Sequence, residues 1–120
     1  MKFCWSTLLV KNMEESVRFY QEVIGLEVAS RFEAMQGLEI AFLGTGETQI
    51  ELVCNAESQN ATVGDAVSWG FEVDSRDVAL AMVKEKNIPI LSGPTVHPNV
   101  KYFFIQDPNG LKVQLKQTIE

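Results

Sequence analysis

Hydrophobic positions along this chain follow two alternating rhythms. Residues 3–10 read as an apolar strand. Asn12 then has the character of a helix cap, with Glu15 three residues on as its capping-box partner. Met13, Val17, Tyr20 and Ile24 recur at helical spacing, and Gly25 stops the helix. Strand-like runs follow at Leu26 to Phe32, Leu38 to Leu43 and Thr48 to Cys54, with Gly37 and Gly44-Thr45-Gly46 at the turns between them. The pattern predicts one strand, one helix and three strands.

Residues 55–66 are polar and small and read as a connecting loop. The order then repeats. Ser68 to Val73 is a predicted strand, and Ser75 caps a helix with Val78, Met82 and Val83 on one face. Lys84 and Lys86 fall in its last turn, where the helix dipole favours cations, and Asn87 and Pro89 end it. Strands are expected at Ile90-Leu91, Val100 to Gln106 and Leu111 to Gln117. A loop, Pro94-Thr95-Val96-His97-Pro98-Asn99, precedes the second of these, and the turn Asp107-Pro108-Asn109-Gly110 the third.

The halves align at a separation of 63 residues: Val10 with Val73, Ile50-Glu51-Leu52 with Val113-Gln114-Leu115, and one Gly-rich turn with the Asp107 turn. In the last strand of each half, Ile50, Leu52 and Cys54, like Val113 and Leu115, point one way, towards the helix of their own half. Gln49, Glu51 and Val53, like Lys112, Gln114 and Lys116, point the other. The expected fold is α+β, two βαβββ modules forming a concave mixed-sheet cleft with a pseudo-two-fold axis. Module one spans 1–54, the linker 55–66 and module two 67–117, within a single domain 1–120.

Composition narrows the function. With 120 residues, 46% apolar and 22% charged, the chain can build a core without metal or disulfide. A net charge of −6 with no basic cluster speaks against nucleic acid. No stretch approaches a membrane span, and the first residues lack a leader pattern, so a cytoplasmic protein is expected. Cys4 and Cys54 are then expected as free thiols, and neither sits in a reactive motif. Asn60-Ala61-Thr62 fits a glycosylation triplet but reads only as loop.

The repeat, the Val17-Arg18-Phe19-Tyr20 helix running into Gly25-Leu26, and the Asp107-Pro108-Asn109-Gly110 turn followed by Val113-Gln114-Leu115 resemble the vicinal-oxygen-chelate superfamily. That group holds glyoxalase I, extradiol dioxygenases, fosfomycin-resistance enzymes and bleomycin-resistance proteins. The resemblance covers essentially the whole chain. It implies four metal-ligand positions, which fall at Trp5, Glu51, Ser68 and Gln114. Only Glu51 is a strong ligand. Gln114 supplies an amide oxygen, Ser68 a hydroxyl, and the Trp5 indole only a donor. A catalytic divalent centre draws on three or four His, Cys, Asp or Glu donors, so no metal is favoured here. A divalent metal around Glu51 is the alternative, with Glu72 or His97 as substitute donors.

The resemblance places Trp5 as an aromatic wall of the cleft, and Tyr102 and Phe104 on a face that looks onto the site. Ordinary packing is the bland reading of all three. His97, the single histidine, is either a plain surface residue or a ligand contact, and Trp69, of opposite parity to Ser68, is expected in the core. Glu51 is either a counter-charge for a cationic ligand or a carboxylate bonded to Gln114 or Ser68.

Three functions follow. One is a metal-free binder of a small aromatic or cationic molecule, contacting Trp5, Glu51, Ser68, His97, Tyr102, Phe104 and Gln114. The second is a lyase of the glyoxalase I type, with a degenerate metal site or with Glu51 as the catalytic general base. The third is a protein without a cleft ligand, acting through protein contacts. The first is preferred. The resemblance also implies a homodimer.

Overall fold

The computed structural model describes all residues, Met1–Glu120, and they form two compact units, Met1–Thr62 and Val63–Glu120. No helix is long and apolar enough to cross a membrane.

In the first unit, strand β1 (Trp5–Leu9) leads into helix α1 (Met13–Phe19), and β2 (Val28–Met35), β3 (Leu38–Leu43) and β4 (Gln49–Cys54) follow. The sheet order is β1-β4-β3-β2, with β1 parallel to β4 and the other pairs antiparallel. Asn12 does cap α1: its Oδ1 accepts the Glu15 N–H at 2.9 Å. Met13, Ser16, Val17 and Phe19 are the buried side of α1, which packs on β4 over Leu8, Ala41, Leu43, Ile50 and Leu52. Arg31 bonds Glu39 Oε2 at 2.6 Å and Glu14 Oε2 at 3.0 Å, tying the first helical turn to the sheet. Its guanidinium is held above its ordinary pKa chiefly by the Glu39 hydrogen bond.

The second unit repeats the order. Strand β5 (Ser68–Glu72) precedes helix α2 (Arg76–Glu85), and β6 (Ile90–His97), β7 (Val100–Gln106) and β8 (Lys112–Thr118) follow in the sheet order β5-β8-β7-β6. Ser75 caps α2, its Oγ accepting the Val78 N–H at 3.2 Å. The helix packs on β7 and β8 over Phe103, Ile105, Val113 and Leu115. The expected α+β class and the doubled βαβββ order are therefore observed, and the two cysteines are free.

Several boundaries differ from the sequence expectation. The first strand is shorter than 3–10, and the second runs Val28–Met35 rather than Leu26 to Phe32. The helix after Asn12 does not run unbroken to Ile24: Tyr20–Ile24 is a π-helical turn ending at Gly25, whose φ of 87° suits glycine. Residues 55–66 are not wholly irregular. Ala56–Asn60 forms a 3₁₀ turn with a reciprocal capping box between Asn55 and the buried Ser58. On α2, Val78 is 69% exposed and the buried stripe is Arg76, Ala79 and Val83. Positions 76, 79 and 83 follow the i, i+3, i+7 spacing of one helical face, and 78 lies off it.

The largest difference concerns His97. The strand expected at Ile90-Leu91 is longer, and β6 continues through Pro94 to His97. A proline inside a strand argues for a break unless the strand lies at a sheet edge, where its missing N–H is not needed. β6 is such an edge, and register shifts at Ile90/Ser92 and Ser92/Thr95 absorb the Gly93-Pro94 step.

Candidate functional site

Each sheet has one face under its helix and one facing away, and the candidate residues fall on the second kind. In the first unit the parallel register sets Thr7 beside Glu51, and the antiparallel register sets Phe42 on the other side of Glu51. Trp5 projects from the same face of β1 as Thr7. The Trp5 and Phe42 rings stand edge to face, 5.3 Å apart at 67°. Trp5 remains 49% exposed. Thr7 Oγ1 donates to Glu51 Oε1 at 2.6 Å. Within its own unit, the side-chain partner of Glu51 is thus Thr7. A side-chain partner one strand away needs no bridge from another element.

The next row across this face is Leu9, Val53, Ile40 and Phe32, apolar on all four strands. Glu51 therefore stands among aromatic and aliphatic side chains. It takes part in none of the ion pairs, which join Arg31 to Glu14 and Glu39, Arg76 to Asp77, and Lys116 to Glu72. An ionised carboxylate without a cation in such surroundings favours a positively charged neighbour.

In the second unit the corresponding rows differ chemically. Gly70, Gln114, Phe104 and Ser92 form one, and Glu72, Lys116, Tyr102 and Thr95 the next. Where Thr7 flanks Glu51, Gly70 flanks Gln114 and offers no side chain. A Cβ there would lie 3.2 Å from Gln114 Oε1. Ser68 is exposed opposite Lys112 at the start of β5. Lys116 Nζ bonds Glu72 Oε1 at 2.5 Å and Thr118 Oγ1 at 2.9 Å. The Lys116 hydrogen bond holds the Glu72 carboxyl below its usual range.

His97 and Tyr102 meet across the β6–β7 hairpin, with His97 Nε2 3.2 Å from the Tyr102 hydroxyl and the rings stacked at 5.7 Å. Tyr102 in turn meets Phe104 edge to face at 5.8 Å. The structure thus gathers Trp5 with Glu51, and His97 with Tyr102 and Phe104, the latter beside Gln114 in register. Trp69 is half-buried on the helix side of β5, paired with Val113.

Two site neighbours escape a reading of the sequence, Thr7 and Phe42. Their signal is the strand register: once β1 is taken as parallel to β4 with Trp5 opposite Gln49, Thr7 necessarily falls beside Glu51.

Within either unit, no three His, Cys, Asp or Glu side chains gather into a group that could hold a metal ion. Glu51 is engaged by a hydroxyl, and Glu72 by Lys116.

The chain resembles known proteins throughout its length. The profile of the Glyoxalase/Bleomycin resistance protein/Dioxygenase superfamily matches residues 3–115. A lactoylglutathione lyase of Neisseria meningitidis is 31% identical, over 98% of this chain and 91% of the relative. Among solved structures, the trypanothione-dependent glyoxalase I of Leishmania major superposes with a TM-score of 0.82 at 21% identity, covering 96% of this chain and 85% of that one. TnmS3, an antibiotic-binding protein from Streptomyces sp. CB03234, superposes with a TM-score of 0.79 at 19% identity, covering 99% and 97%. The chain belongs to the Glyoxalase/Bleomycin resistance protein/Dioxygenase superfamily.

Proposed function

We propose that this chain is a metal-free binding protein for a small aromatic cation, seated on the open face of the first sheet. One observation carries the reading: Glu51, bonded by Thr7, stands beside the Trp5–Phe42 pair with no cationic side chain to neutralise it. A cation beside an aromatic face gains from the ring quadrupole as well as from the carboxylate. Trp5 supplies the stacking wall and Glu51 the counter-charge. Ser68, Gln114, His97, Tyr102 and Phe104 are proposed as ligand contacts on the open face of the second sheet. The chain is read as one domain over 1–120, acting as a homodimer in the cytoplasm.

A second reading is a lyase of the glyoxalase I type, favoured by the identity to the Neisseria lactoylglutathione lyase. The same fold serves glyoxalase I and an antibiotic-binding protein, so the side chains decide between the readings. With Trp5, Ser68 and Gln114 at the positions where the family places ligands, a lyase would have to hold its metal through Glu51 almost alone.

The test is elemental mass spectrometry on tag-free protein, before and after loading with nickel, zinc, manganese and iron. Metal at background supports the binder. Near-stoichiometric metal that disappears in Glu51→Ala and Gln114→Ala overturns it and directs work to lyase assays. In the first case, quenching of Trp5 fluorescence by cationic aromatic compounds, with Trp5→Phe as control, reports the ligand.

A further inference from the structure

We infer that Thr7 is a positioning residue for Glu51, and that together they select a cation that donates an N–H, carried on an apolar body. The inference rests on the proposed cation-binding role of this face and adds the residue that orients it.

An ionised carboxylate only accepts hydrogen bonds, and a threonine hydroxyl has a single proton to give. At 2.6 Å that proton is committed to Glu51 Oε1. A hydrogen bond to an ionised acceptor is short and strong, so the carboxylate is held in one orientation. Thr7 is itself fixed. Leu8 is buried beside it, Val10 is fully buried two residues further on, and the Val10 N–H bonds the Val53 carbonyl at 2.9 Å. The remaining acceptor capacity of Glu51 is left for a ligand.

What surrounds that capacity defines the ligand. The Trp5 and Phe42 rings form a corner on one side, and the row Leu9, Val53, Ile40 and Phe32 extends the apolar surface on the other. A ligand matching this pattern carries one charged N–H donor, directed at Glu51, and a flat apolar body. The second unit makes the comparison internally. Position 70, which stands to Gln114 as Thr7 stands to Glu51, is glycine, so its amide has no such neighbour. The chain fixes the polar group that is charged and leaves the neutral one free.

Isothermal titration calorimetry with 2-naphthylmethylammonium and its neutral counterpart 2-naphthylmethanol tests this on the full chain. Wild type should bind the ammonium compound more tightly. Thr7→Val should weaken the ammonium compound about tenfold and change the alcohol less than about twofold. Thr7→Ser, which keeps the hydroxyl, should stay within about twofold of wild type for both. Thr7 is exposed and valine is favoured in strands, so the variant is expected to fold; Thr7→Ala is the second variant, with circular dichroism as the check. Unchanged ammonium binding in the folded Thr7→Val protein overturns the Thr7 inference and leaves the cation site standing. Equal loss of both compounds also overturns it, because it marks general damage to the face. Wild type that binds the ammonium compound no more tightly than the alcohol overturns the cation reading and the inference together.

Discussion

Asp107 Oδ1 accepts the backbone N–H groups of both Asn109 and Leu111, at 2.8 and 2.9 Å, while its Oδ2 accepts the Asn109 amide at 3.2 Å. Only 5% of Asp107 is exposed. The carboxylate is therefore spent inside its own turn and closes the link from β7 to β8, a structural role that leaves it no part in the ligand face. Removing it orphans the buried Leu111 N–H and the half-buried Asn109 N–H at once. Asp107→Ala should destabilise the chain by about 2–4 kcal/mol, and Asp107→Asn, which keeps an acceptor oxygen, by about 1–2 kcal/mol. Urea denaturation monitored by circular dichroism gives both values.

Arg76 has a comparable role at the other end of the second unit. Its Nη1 donates to the Thr95 carbonyl at 3.1 Å, its Nε bonds Asp77 at 2.9 Å, and its backbone N–H donates to Gln117 Oε1 at 2.8 Å. The guanidinium thus pins edge strand β6, which carries His97, to the start of α2. Arg76→Ala should lower stability by about 2–3 kcal/mol and raise amide hydrogen exchange in β6. Arg76→Lys should rescue little, since a lysine lacks the planar fork that reaches both partners.

The architecture was legible in the sequence because the two halves repeat their punctuation. Asn12 and Ser75, 63 positions apart, are both real helix caps. Inside the halves the repeat slips. The π-helical turn at Tyr20–Ile24 adds a residue that the second half lacks, so Gly25 corresponds to Asn87, which is also left-handed at φ 60°. That slip hides the match between Phe42 and Phe104, which flank Glu51 and Gln114 in the two sheets. The strand position of His97 is hidden for a different reason: proline spacing marks loops locally, and only the sheet order shows that β6 is an edge. Strand alternation puts Glu51 and Gln114 on the faces away from the helices, whereas Trp5, Ser68, Tyr102 and Phe104 as site residues rest on the family resemblance. The neighbours Thr7 and Phe42 follow from neither, because register is a property of pairs of strands.

Acid should dissolve one surface link selectively. Glu72 has its pKa lowered from 4.5 by the hydrogen bond from Lys116, with their charge attraction second. A carboxylate depressed in the folded state stabilises above its unfolded pKa, and that contribution vanishes as pH falls through the folded value. Thermal melts of wild type and Glu72→Gln should therefore differ slightly and constantly above pH ~5 and converge on acidification. The difference should also shrink in ~1 M salt, since the pair is exposed.

Two glycines in the second sheet should respond very differently to an added methyl group. Gly93 has φ +93°, and a Cβ there would lie 3.2 Å from both Cα and Cβ of Phe103, a fully buried residue. Neither the left-handed backbone nor the contact with main chain can relax locally. Gly93→Ala should therefore destabilise by about 2–4 kcal/mol. Gly70 has no such backbone demand, and its Cβ would meet only the movable amide oxygen of Gln114 at 3.2 Å. Restricting the unfolded chain then offsets the tight contact, and Gly70→Ala should change stability by less than about 1 kcal/mol in either direction. Its effect belongs to the ligand face. The Gln114 amide must turn away from β5, and its side-chain NH₂ resonances in ¹H–¹⁵N spectra should shift. A large loss of stability in Gly70→Ala would show that the Gln114 amide is locked rather than free to turn.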